Sequence, residues 1–143
     1  MIYQLPVPIV HIVHIQNMSN DYLQAVNLIK KWEGLKLKAY RCPAKLPTIG
    51  YGTRYYKDGT EVKMGDTVTL AQAEDLLNFR VLQIADFIED DLKEVELNDN
   101  QRNALISFIF NIGIERFKRN TTIRRLLKTG DIEGAAKQFV RWN

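Results

Sequence analysis

The sequence predicts an α+β fold, with a small antiparallel-sheet lobe flanked by helices and a mainly helical C-terminal lobe. Three observations carry this. Leu70, Ala73, Leu77, Val81, Ile84 and Ile88 step by three and four residues, the period of one helix face. Residues 36–66 break that rhythm with aromatic, glycine and β-branched residues, and Asp58-Gly59 between two short runs signals a hairpin. From Ala104 to Ile112 seven of nine residues are apolar, too many for one face, so a helix buried nearly all round is expected there.

The chain has 143 residues, enough for one domain to bury a core without staples. An apolar fraction of 45% and a charged fraction of 26% exclude wholesale disorder. No run of about 20 apolar residues is present, so stable membrane insertion is not expected. One cysteine cannot form an internal disulfide, and no Cys/His cluster has the spacing of a structural zinc site, so no metal is expected. The net charge of +3 and a pI near 9.0 favour an anionic partner: nucleic acid, acidic lipid or wall polymer. Arg116, Lys118, Arg119, Arg124 and Arg125 are scattered among apolar positions and read mostly as a solvated face, which argues against nucleic acid.

Taken in order, residues 1–18 read as an extended segment, because Pro6 and Pro8 forbid a helix through its start and β-branched residues follow. A surface strand, a docking strand for an unknown partner and an unusual export segment all fit. No basic stretch precedes it and no small-residue cleavage site follows, so it does not read as a secretory signal. His11 and His14 lack an obvious third ligand. A single domain over 19–143 is expected to follow, with its sheet lobe at about 34–66 and its helical lobe at about 69–143.

A first helix starts at Ser19 or Asn20, both good N-caps, and stops at Gly34. Tyr22, Ala25, Val26 and Ile29 form its apolar face, which Leu28 and Trp32 widen. At Asp58-Gly59 both turn positions are expected at positive φ. Thr69 and Gln72 make a capping box for the long helix, whose acidic end at Glu89, Asp90 and Asp91 lacks calcium-loop spacing and reads as solvated. Asn98 or Asp99 caps the next helix. Two short helices end the chain, the first stopped by Gly130 and the second capped by Asp131.

Three residues carry candidate chemistry. Glu33 falls at a helix C-terminus, where the dipole disfavours a carboxylate; partial burial would push its pKa the same way, as a general acid requires. Lys36 and Lys38 could oppose that shift, and a plain surface glutamate is the competing reading. Cys42 lies beside Arg41 and near Lys45, cations able to stabilise a thiolate, though a free cysteine is usually a small buried hydrophobe. Thr48 could be a simple strand residue or could hold a water.

Their joint arrangement, Glu33-x8-Cys42-x5-Thr48, is embedded in Glu33-Gly-Leu-Lys-Leu-Lys-Ala-Tyr40 and Pro47-Thr-Ile-Gly-Tyr-Gly52. It resembles the phage-type lysozymes of the endolysin family, whose pattern is Glu, eight residues, Asp or Cys, five residues, Thr. The resemblance runs over about 20–143, through Asn100-Gln101, Ala104-Leu105, Ser107-Phe108, Phe110-Asn-Ile-Gly113, Phe117, Thr121-Thr122, Gly130-Asp131, Ala135-Ala136 and Arg141-Trp142. It implies two lobes with a cleft between them and no cofactor. The implied activity is hydrolysis of the β-1,4 bond between N-acetylmuramic acid and N-acetylglucosamine in bacterial peptidoglycan. In that reading Glu33 protonates the leaving oxygen. Cys42, where Asp is commoner, stabilises positive charge, activates water or attacks, and Thr48 positions water or its neighbour. Arg54, Phe110, Thr122 and Gln138 match saccharide-contacting positions.

Thr53 stands where many relatives carry His, and relatives commonly continue past the position of Asn143. The reading implies a monomer that accumulates in the host cytoplasm and then acts in the periplasm and wall. Two other classes compete: a wall-binding or virion-associated module of the same fold without catalysis, and a helical interaction domain. An inactive module would bind wall without releasing reducing sugar.

Overall fold

The computed structural model describes residues 22–119 and 121–142. Ser19, Asn20 and the extended segment over 1–18, with His11 and His14, lie outside the described residues. The elements are α1 (Leu23–Glu33), β1 (Lys36–Arg41), β2 (Pro47–Gly50), α2 (Leu70–Asp91), α3 (Asp99–Ile112), α4 (Ile114–Arg119), α5 (Thr121–Lys128) and α6 (Ile132–Trp142). They form two compact units, 1–82 and 83–143. The mostly helical chain with one two-stranded antiparallel sheet is the α+β class expected.

In the first unit, Tyr22 holds the N-cap of α1 without a side-chain cap bond, so the helix begins later than Ser19 or Asn20. Ala25, Val26 and Ile29 are buried as expected, but Leu28 and Trp32 are exposed, Trp32 at 76%. At 100° per residue Leu28 lies about 60° outside the stripe that Ala25 and Ile29 define, whereas Trp32 lies only about 20° from Ala25 and is left uncovered. Leu70, expected on the apolar face of α2, is likewise exposed at the helix start.

Strand β1 pairs antiparallel with β2, Tyr40 opposite Thr48 and Arg41 opposite Pro47, with a register irregularity between Lys36 and Tyr40. Ala39, Ile49 and Val62 form the buried cluster beneath, joined by Tyr56 and Val68. The expected hairpin is present as a single bridge, Tyr55 to Glu61, around a turn closed by Gly59 N–H donating to Tyr56 O at 2.9 Å. Only Gly59 has positive φ there; Asp58 does not. Its carboxylate instead accepts from Thr60 N–H and Oγ1, so a turn ending in one left-handed glycine replaces the two-residue form. Lys57, its side chain 1% exposed, pairs with Asp75 and lies over the Phe79 ring, which pins the hairpin to α2.

In the second unit, Ile84, Ile88, Leu105, Ile106, Ile109, Phe117, Ile123 and Leu127 are buried, and Phe87 meets Phe117 edge-on at 5.9 Å. Asn98 and Gln101 form the capping box of α3. That helix is not buried all round, since Ala104 and Asn111 face solvent. Three helices follow it, not two: Gly113 ends α3 and the chain re-enters helix at once as α4. Asp131 caps α6 by accepting from Gly134 N–H. Asp91 is no solvated end, because Arg124 donates to both of its oxygens at 2.9 and 2.7 Å. Arg124 therefore leaves the solvated basic face. Among the described residues no helix is long and apolar enough to cross a membrane, and no cluster of three metal-ligating side chains occurs.

Candidate active site

Glu33 is the last residue of α1. Gly34 follows at φ +69° and donates its N–H to Lys30 O, which ends the helix and turns the chain into β1. The last turn of α1 is held in place by Lys30, whose Nζ pairs with Glu74 of α2 at 3.2 Å and lies 5.5 Å from the Tyr51 ring centroid. The Glu33 carboxyl consequently rests on the backbone of Gly52. A Cβ at Gly52 would sit 2.7 Å from Glu33 Oε2 and 2.8 Å from Cδ, and Gly52 has φ +76°. Glycine is required there twice over, by backbone conformation and by space. Burial pushes the Glu33 carboxyl above the usual carboxylate range. Lys36 and Lys38, considered above as opposing cations, are exposed, and burial sets the direction.

Cys42 follows β1 and opens a tight loop. Its N–H donates to Leu46 O at 3.0 Å, Lys45 N–H donates to Cys42 O at 2.6 Å, and Lys45 takes φ +64° to close it. The thiol is held below its ordinary pKa, first by the Thr48 hydroxyl, then by the backbone N–H groups of Leu46 and Ala44, and also by the charge of Arg54. The expected cations have no such part. Arg41 turns its guanidinium to Lys45 O at 3.1 Å. The loop thus aims amides, not its own cations, at the sulfur.

Thr48 is buried on β2 with its hydroxyl 2.9 Å from Leu46 O. One hydroxyl proton serves two acceptors in turn. A neutral thiol can donate to Oγ1 while Thr48 donates to Leu46 O; an ionised one draws the hydroxyl proton to sulfur. Glu33, Cys42 and Thr48 therefore fall within one unit, on a helix end, a loop and a strand joined by 16-residue connectivity. Arg54 is in the same unit, exposed, its guanidinium 5.7 Å from the Tyr55 ring centroid. Phe110 on α3, Thr122 in the first turn of α5 and Gln138 on α6 are half-buried residues of the second unit. Sequence reading gave no role to Gly52 or Tyr40. For Gly52 the available signal was a second glycine directly after the β2 turn.

Residues 30–143 match the phage lysozyme family. The chain belongs to that family. It is 38% identical over 116 residues to the endolysin of Acyrthosiphon pisum secondary endosymbiont phage 1, covering 81% of this chain and 75% of that relative. The endolysin from Escherichia coli O157:H7 phage FAHEc1 superposes with a TM-score of 0.71 at 37% identity, over 84% of this chain and 74% of that one. The muramidase domain of SpmX from Asticaccaulis excentricus gives 0.68 at 35% identity, over 82% and 76%. The curated relatives also include longer endolysins of Bacillus phages, of which this chain spans 44% and 43%.

Proposed function

We infer that this chain is a muramidase of the endolysin type, a glycoside hydrolase that lyses bacterial peptidoglycan. Family membership supports the activity. The observation that carries the mechanism is the opposite displacement of two groups of the first unit: Glu33 toward its protonated form, Cys42 toward its ionised form. Glycoside hydrolysis needs that division of labour, an acid for the leaving oxygen and an anion or nucleophile for the electron-poor anomeric carbon.

In the proposed reaction Glu33 donates its proton to the glycosidic oxygen as the C–O bond breaks. The Cys42 thiolate faces the developing oxocarbenium charge, balancing it, attacking the anomeric carbon or activating water. Thr48 supports the ionised sulfur through its hydroxyl. Arg54, Phe110, Thr122 and Gln138 are proposed to contact the saccharide. The action is on the cell wall, and we place the chain in the host cytoplasm before lysis, a step that cell fractionation before and after membrane opening would test.

Turbidity loss and reducing-end release on purified peptidoglycan test the reading. Glu33→Gln should lose at least about 100-fold in rate, as expected for removal of a general acid. Cys42→Ser, which cannot ionise near neutrality, should fall by a similar order. A folded parent chain that binds wall and releases no reducing ends would replace this reading with that of a binding module.

A further inference from the structure

The two units differ in what they leave uncovered. Residues 22–82 carry ten Lys and Arg against six Asp and Glu, whereas over 83–143 the two signs balance at ten each. Among the described residues, the large apolar side chains that face solvent also fall in the first unit. Four of them lie close together in the chain: Trp32, and Leu28, Leu35 and Leu37 at between 37% and 45% exposure. Leu28 and Trp32 are one turn apart on the outer face of α1. Gly34 ends that helix, and Leu35 and Leu37 follow within five residues of Trp32. Lys31, Lys36 and Lys38 stand exposed among them, and none forms an ion pair with a described residue. The nearby carboxylates are engaged elsewhere. Glu33 is turned onto Gly52, Glu74 pairs with Lys30, and Asp66 beside β1 accepts from Tyr56 O–H and Lys63 N–H. The fold thus leaves an apolar strip whose positive charge is not neutralised.

We propose that Leu28, Trp32, Leu35 and Leu37, with Lys31, Lys36 and Lys38, form a docking surface for a membrane of anionic phospholipid. The indole and the leucines enter the boundary between headgroups and acyl chains, and the ammonium groups meet lipid phosphates. Each residue type suits that place. An indole has an apolar body and one N–H for the polar side, and a lysine lays its stem along apolar surface while its charge stays at the headgroups. Docking of this kind is peripheral and requires no spanning helix; among the described residues none is long and apolar enough to span. Two other occupants fit less well. A saccharide would suit the indole but not three leucines, and a second copy using the same face would set lysines against lysines. The proposal does not rest on the muramidase reading, since no reacting group takes part in it.

Vesicles of phosphatidylglycerol mixed with phosphatidylcholine, and of phosphatidylcholine alone, test this with the full chain. The chain should co-sediment with the anionic vesicles, stay in solution with the neutral ones, and be released by added salt. Replacing both Lys36→Glu and Lys38→Glu should weaken partitioning by at least about 25-fold, about fivefold for each lysine lost. Trp32→Gln should weaken it roughly tenfold through lost apolar burial. All three side chains are exposed, so thermal melts of these variants should match the parent. The chain has two tryptophans, so Trp142→Phe leaves Trp32 as the single indole, and its emission should shift to the blue on anionic vesicles. Vesicle binding that survives in both the lysine and the Trp32 variants overturns the proposal, as does an emission that anionic vesicles leave unmoved. A Trp32 shift produced by purified glycan strands and not by vesicles overturns it in favour of a saccharide. One that appears without lipid as the mass doubles overturns it in favour of a second copy.

Discussion

Helices α1 and α2 both end on a carboxylate, Glu33 and Asp91, at the helix end where negative charge is disfavoured. Their surroundings differ. Arg124 donates to both Asp91 oxygens, Lys128 lies 3.5 Å away, and these cations hold the carboxyl below its ordinary range. Glu33 has burial acting on it instead, over the backbone of Gly52, and is pushed the other way. The same helical position therefore yields an ion-paired anchor or a carboxyl pushed toward its protonated form, as the proposed proton donor requires, according to what the chain folds opposite it.

The sharpest way to break that contrast is Glu33→Gln. Beyond the loss of activity, the variant should be as stable as the parent at neutral pH, or more so. A carboxyl whose folded pKa is raised binds its proton more tightly in the native state. Stability is then lost as pH rises from the unfolded value of about 4.3 through the folded one. Glutamine escapes that loss. Thermal melts across pH should show the advantage at pH 7 and its disappearance below about pH 4. A clearly lower melting temperature at pH 7 would mean that ionised Glu33 stabilises the fold, and the contrast with Asp91 would fail.

A smaller effect comes from the floor beneath Glu33. Gly52→Ala should lower activity by on the order of tenfold to a hundredfold, because the new Cβ cannot coexist with the carboxylate where it now lies. The left-handed backbone adds roughly 1 kcal/mol of destabilisation. Gly59→Ala is the control: φ is +88° and nothing lies within 4 Å of its Cβ position. It should show the stability loss and keep the activity. Equal activity losses in both would show that backbone strain, not displacement of Glu33, is responsible.

The helices and their caps were largely legible because their determinants are local. Thr69 with Gln72 and Asn98 with Gln101 bond across three residues, and the Ala73 to Ile88 stripe needs only helical periodicity. Periodicity says which face can be buried, not what covers it, which is why Trp32, Leu28 and Leu70 turn out exposed. The spacing of Glu33, Cys42 and Thr48 was also legible, since a helix end and one hairpin place all three. The electrostatics were not. Sequence shows Cys42 between Arg41 and Pro43, whereas the loop turns it toward Thr48, two backbone amides and Arg54. Asp91 was misread for the same reason, its partner Arg124 lying 33 residues away.

The smallest effect belongs to Asp91→Asn, and its pH dependence has the opposite sign to that of Glu33→Gln. The Asp91 side chain is 13% exposed, so its pairing with Arg124 is screened less than a surface pair. Losing it should cost about 1–3 kcal/mol at pH 7, since the guanidinium keeps one acceptor from the amide and loses the charge. A depressed folded pKa means that the native state holds the proton less tightly than the unfolded chain. The stabilisation is therefore complete above the unfolded value of about 3.9 and drains away as pH falls through the lower folded value. Parent and variant should differ most at neutral pH and converge in strong acid, whereas Glu33→Gln overtakes the parent as pH rises. Urea melts at pH 7 and pH 3 would measure both. A difference for Asp91→Asn that is unchanged at pH 3 would assign the loss to packing of the side chain and remove charge pairing from the contrast with Glu33.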